Sequence, residues 1–186
     1  PLGHLGWTFT PGALLRARIA VDYRLEGEDM IVTGRLERGF ESARIHASGG
    51  LAMTWLAPLL EPYDLKIGGE ADLRDVEVDF EGIRAATASG SIVWSGGEVR
   101  YVLSGQLERV VLEPMIAELA TGASGPMAVV RSAGPISDKN ENHATPLIEV
   151  ELGYDGFVRI GVTKALTNML NSPWPGNDPD RAIVLQ

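Results

Sequence analysis

The sequence predicts an all-β protein, a predominantly antiparallel and strongly curved, twisted sheet built from two tandem similar β units with short helical turns. Three observations carry this. Apolar residues alternate with polar ones along most of the chain, the period of a half-buried strand. The turns between these stretches are too short for the helical crossovers that parallel strands require. Finally, Ser48-Gly49-Gly50-Leu51, running on through Pro58-Leu59-Leu60, recurs 56 positions later as Ser104-Gly105-Gln106-Leu107 with Pro114-Met115-Ile116. At the same offset Gly34 matches Gly90, Leu36 matches Ile92, Arg44 matches Arg100, Gly69 matches Gly125 and Leu73 matches Val129. Repetition at one fixed offset is the mark of a duplicated supersecondary unit.

Taken in order, Pro1-Leu2-Gly3 with His4 reads as the remnant of an expression tag. Residues 5–186 then read as one β-rich domain with halves near 30–85 and 86–133, followed by a C-terminal hairpin and tail. Trp7 to Gly12 is an extended piece closed by a Pro-Gly turn. From Leu15 to Leu25 strict alternation predicts a strand, with Leu15, Ala17, Ile19, Val21, Tyr23 and Leu25 on one face; Met30 to Leu36 is its hairpin partner. Arg44 to Met53 is a third strand, bent at Gly49-Gly50, where the missing Cβ permits a bulge. Leu56 to Pro62 is an apolar helical turn plugging an end of the sheet, and Leu112 to Leu119 is its counterpart.

Leu65 to Ala71 and Val76 to Phe80 are strands whose alternation changes phase between Leu73 and Val76, which implies a bulge or a turn there. Ile83 to Trp94 and Val99 to Leu103 form a hairpin through Ser95-Gly96-Gly97. Met127 to Arg131 is a strand. Gly134 to Thr145 is too polar to bury itself and reads as a mobile loop. Leu147 to Leu152 and Phe157 to Val162 flank the hairpin turn Tyr154-Asp155-Gly156. The tail offers a helical turn from Lys164 to Leu170 and a last strand from Ala182 to Leu185.

Composition narrows the function. The net charge is −9 with dispersed basic residues, which disfavours nucleic acid or an anionic membrane surface as the main partner. The absence of cysteine excludes disulfides and thiolate chemistry. No apolar run approaches the roughly 20 residues of a membrane-crossing helix.

Several clusters invite a chemical reading and fail it. Asp75, Glu77, Asp79 and Glu81 place four carboxylates on one strand face, but interleaved Val76, Val78 and Phe80 make that face a solvated exterior. Asp138-Lys139-Asn140-Glu141-Asn142 opens like a calcium loop with Glu149 at the twelfth position. His143 then stands where glycine must turn, and Pro146 intrudes. His4, His46 and His143 lack ligand spacing. Gly49-Gly50, Gly68-Gly69 and Gly96-Gly97 lack the lysine or glycine frame of a phosphate cradle. Trp174, between prolines, is a candidate exposed contact. The expectation is a protein with no catalytic, cofactor-binding or metal-ligating residues; a polar cleft around Asp155 or His46 would overturn it.

Trp7 with Pro11-Gly12-Ala13-Leu14-Leu15, the paired Ser-Gly units joined by Gly90-x-Ile92-x-Trp94, and Tyr154-Asp155-Gly156 with its proline-rich tail together resemble the N protein of the bacterial type II secretion pathway. The resemblance implies a periplasmic, non-catalytic accessory component, anchored to the inner membrane by a segment upstream of Leu5, with other secretion-system envelope proteins as partners. The alternative reading of the same curved sheet is a periplasmic lipid-binding groove.

Overall fold

The computed structural model describes residues 3–103, 105–133, 146–170 and 181–185. The first strands are β1 (His4–Phe9), β2 (Ile19–Gly27), β3 (Met30–Arg38) and β4 (Ser42–Ala52). A 3-10 and α-helical run over residues 53–63, with α1 (Ala57–Leu60) at its centre, leads into β5 (Lys66–Ile67). Then come β6 (Glu70–Glu81), β7 (Arg84–Trp94), β8 (Gly97–Leu103), β9 (Gln106–Leu112), β10 (Met115–Thr121) and β11 (Pro126–Ser132). β12 (Ile148–Leu152), β13 (Val158–Thr163), α2 (Lys164–Met169) and β14 (Arg181–Leu185) complete the described chain.

Eleven strands form one antiparallel sheet in the order β1-β2-β3-β4-β6-β7-β10-β11-β12-β13-β14, while β5, β8 and β9 make a separate three-stranded sheet. The large sheet is curled and open. Its curl is visible in one hydrogen bond: Tyr154 Oη, in the β12–β13 turn, donates to the Ala86 carbonyl of β7 at 3.3 Å. In a flat sheet β7 and β12 would lie three strand spacings apart, about 14 Å.

The register makes one face continuously apolar. One row runs Phe9, Val21, Leu36, Ile45, Val78, Ala88 across six strands. Another runs Leu73, Ile92, Ala117, Val130, Ile148, Val162 across the other half. Helix α2 covers part of this face, seating Leu166 with Met115 and Leu147 in a small core ringed by Trp94, Val130, Ile148 and Val162. Among the described residues much of the rest of this face stays open to solvent, with Leu36 and Ile45 exposed, and no large side chain is fully buried.

Strand direction sorts the connections between two rims. The helical run 53–63, α2 and the three-stranded sheet all emerge at one rim, where β1 begins. The opposite rim carries the connections 10–18, 39–41, 82–83, 122–125 and 153–157; it is called the turn rim below.

Most predicted strands are present, together with the helical plug at 53–63, the bulges and the Tyr154-Asp155-Gly156 hairpin. The Gly49 bulge appears as a register shift between Ala47 and Gly49 with φ 135° at Gly49. The phase change in β6 is a bulge at Asp75, φ 47°.

Three local expectations are corrected. The strand predicted from Leu15 starts only at Ile19. Pro11 sets the first dihedral of a 3-10 helix over Pro11–Arg16, and Ala17, in the left-handed region, closes it by donating to Leu14 O. Leu112 to Leu119 is no helix: Met115–Thr121 is β10, because β7 and β11 offer backbone partners on both sides and pairing outweighs local preference.

Ser95-Gly96-Gly97 is not a hairpin turn. Gly96 and Gly97 take positive φ and carry the chain out of the sheet, so β8 joins β5 and β9 and β10 takes the vacated edge of β7. Gly105 therefore lies between β8 and β9, whereas its counterpart Gly49 lies inside β4. The 134–145 loop and Trp174 fall outside the described residues.

Candidate functional site

The polar face is a lattice of cross-strand charge. Asp22, Arg35, His46 and Glu77 are successive direct neighbours across β2, β3, β4 and β6, and Glu37, Arg44, Asp79 and Thr87 form the adjacent row. Arg44 grips Asp79 with two hydrogen bonds, Nε at 2.6 Å and a terminal nitrogen at 3.1 Å, and Thr87 Oγ1 donates to the same carboxylate at 3.0 Å. The hydrogen bonds from Arg44 hold Asp79 below the usual carboxylate range, and the same contact raises Arg44. Arg35 meets Glu37 at 2.8 Å and Asp22 at 3.3 Å. Glu77 and Asp79 thus serve as ladder partners of a solvated exterior.

At the β6 bulge Asp75, Ser48 and His46 come together. Ser48 Oγ donates to Asp75 Oδ1 at 3.3 Å and accepts from the Asp75 N–H at 3.2 Å; His46 Nε2 lies 3.6 Å from Oδ1. The carboxylate stands between hydroxyl and imidazole, the reverse of the order in which a histidine base activates serine. The contacts pin the strained backbone of Asp75. Among the described residues no group of three or more His, Cys, Asp or Glu is placed to hold a metal ion.

The remaining candidates are structural. Glu149 lies in β12, and Asp138 to His143 fall outside the described residues. His4 pairs with Glu26 in the sheet. Asp155 closes the β12–β13 turn by accepting from the Phe157 N–H at 3.0 Å, which holds its carboxyl pKa below the ordinary range, and it also pairs with Arg159. Asp155 sits in the exposed β12–β13 turn and His46 on the charged face of β4. The paired glycines serve bulges and chain exits rather than an anion.

What the sequence reading missed lies at the edges. β1 pairs only with β2 among the described residues, which leaves its other edge open, and it carries no charge after His4; Leu5, Trp7 and Phe9 extend the apolar face beyond β2. Trp7 is 67% exposed. At the turn rim Leu15, Phe40 and Ile83 are 93%, 95% and 97% exposed. A large apolar residue at the tip of a tight turn, as in Gly39-Phe40 and Gly82-Ile83, was the available signal, since such positions ordinarily take Gly, Asn, Asp, Ser or Pro.

An open, one-layered antiparallel sheet with an apolar face, a salt-bridged exterior and bare edges defines an all-β sheet protein. The chain belongs to the type II secretion system (T2SS) protein N family, whose model matches residues 1–136. Membership makes it a component of the type II secretion machinery. No curated protein and no solved structure matches the chain.

Proposed function

We propose that this protein is a non-catalytic structural component of the type II secretion machinery, acting in the periplasm through contacts with other secretion-system envelope proteins. The observation that carries the reading is β1: an open edge strand with no charge after His4 and three large apolar side chains, Leu5, Trp7 and Phe9, on one face. Natural sheets blunt such edges with charge, proline or bulges unless a partner covers them, and an added strand would find both backbone partners and an apolar footing there. Anchorage in the inner membrane by an upstream segment belongs to the same reading.

The test is a gene deletion assayed for export of secreted enzymes, with a photo-crosslinking residue placed at Trp7 in cells. Loss of export, with crosslinks from position 7 to a secretion-system protein, supports the reading. Normal export and no envelope partner would sink it. The uncovered part of the apolar face favours a second reading, a lipid-binding groove; native mass spectrometry separates the two by whether lipid co-purifies.

A further inference from the structure

The turn rim presents a pattern that the partner reading does not use. Its connections join antiparallel neighbours, so their tips recur every second strand, about 10 Å apart along the sheet. Leu14 and Leu15 stand before β2, Phe40 between β3 and β4, Ile83 between β6 and β7, and Phe157 between β12 and β13, all exposed. The two central tips are locked together, since the Gly82 N–H donates to the Glu41 carbonyl at 2.7 Å.

These apolar side chains are presented singly rather than pooled in a patch. A folded protein partner would need a separate socket for each tip, whereas the acyl boundary of a bilayer is one continuous apolar phase that accepts them all. The surrounding charge agrees. Arg38 and Glu41 flank Phe40, Glu81 and Arg84 flank Ile83, and none of the four has an ion-pair partner among the described residues. This collar holds two guanidinium groups and two carboxylates, a balance that matches a zwitterionic headgroup, guanidinium against phosphate and carboxylate against ammonium.

We propose that this rim docks on a zwitterionic phospholipid bilayer, with Phe40 and Ile83 entering the acyl boundary and Arg38, Glu41, Glu81 and Arg84 meeting the headgroups. This goes beyond the protein-contact reading and is tested apart from it, by flotation of the 186-residue chain with vesicles. Phosphatidylcholine/phosphatidylethanolamine vesicles are compared with vesicles that also contain phosphatidylglycerol, each at low and high salt.

The chain is expected to float with the zwitterionic vesicles with little salt dependence, because its collar is balanced, and no more strongly with the phosphatidylglycerol-containing ones, which its net charge of −9 disfavours. Phe40→Ser with Ile83→Ser lowers partitioning by about tenfold or more, given the apolar area withdrawn from the membrane. Leu107→Ser with Val111→Ser, exposed on the small sheet at the opposite rim, leaves it unchanged. Circular dichroism and thermal unfolding establish that both pairs remain folded. The proposal is overturned if the wild-type chain does not float, if the Phe40/Ile83 pair floats like wild type, if both variant pairs lose binding equally, or if binding requires the anionic lipid and vanishes in salt.

Discussion

Gly34→Ala should be among the most damaging single-methyl changes in the large sheet. Gly34 in β3 lies directly opposite Tyr23 in β2 and Ala47 in β4. The Tyr23 ring lies over the bare glycine and its hydroxyl reaches past it to donate to the His46 carbonyl at 3.1 Å. A Cβ at position 34 would fall inside van der Waals contact with both the His46 carbonyl oxygen and the Tyr23 ring. The carbonyl belongs to the ladder and cannot swing away, so the β3–β4 pair must separate or the ring must leave.

Overpacking of this kind costs about 1–3 kcal/mol, and loss of the tyrosine hydrogen bond adds about 1 kcal/mol. The sum, on the order of 2–4 kcal/mol, corresponds to a fall in Tm on the order of 10 °C for a chain of this length. Guanidinium unfolding followed by tryptophan fluorescence measures it. Gly12→Ala, where nothing lies within 4 Å of the new methyl, is the control and should stay within about 0.5 kcal/mol. Tyr23→Phe alone should cost about 1 kcal/mol, but much less in the Gly34→Ala background, where the ring is already displaced. A Gly34→Ala protein as stable as wild type, or strict additivity with Tyr23→Phe, would refute the packing argument.

Further outcomes follow from the same geometry. Leu166→Ala removes the α2 anchor from the core formed with Met115 and Leu147 and should cost about 2–4 kcal/mol in chemical unfolding. Gly49→Ala forces a side chain to φ 135° and against the Ile31 carbonyl; a loss of about 1–3 kcal/mol is expected from thermal unfolding. The Asp79 pKa is depressed in the folded state, so its stabilisation is present above the ordinary carboxylate range and disappears as pH falls through the lower folded value. Asp79→Asn should therefore flatten the acid limb of a stability–pH profile by about 0.5–1 kcal/mol, a figure reduced for the solvent around half-exposed Arg44. Trp7→Lys should leave the unfolding midpoint within about 0.5 kcal/mol of wild type while abolishing crosslinks from a photo-crosslinking residue moved to Leu5 on the same edge.

The strands and both bulges were legible because they depend on short-range order. The alternation of Val21-Asp22-Tyr23-Arg24-Leu25 puts one face in and one out wherever the strand sits. A glycine at 49, or a phase slip before Val76, disrupts any ladder it enters. The helical run at 53–63 was legible from its apolar composition and prolines. The segment around Met115 misled because local residue preference there is helical, while the two strands that claim it are contributed by residues 84–94 and 126–132.

The sequence by itself determined the secondary-structure class and the two-faced character of the sheet, since both are set by neighbours along the chain. Only the tertiary structure decided that β8 leaves the sheet, that Asp75 meets Ser48 and His46, that β1 is a bare edge, and that Leu15, Phe40, Ile83 and Phe157 share one rim. Those facts depend on which distant strands pair and in what register. Register is a property of the whole assembled ladder, to which each segment contributes only half of every pair.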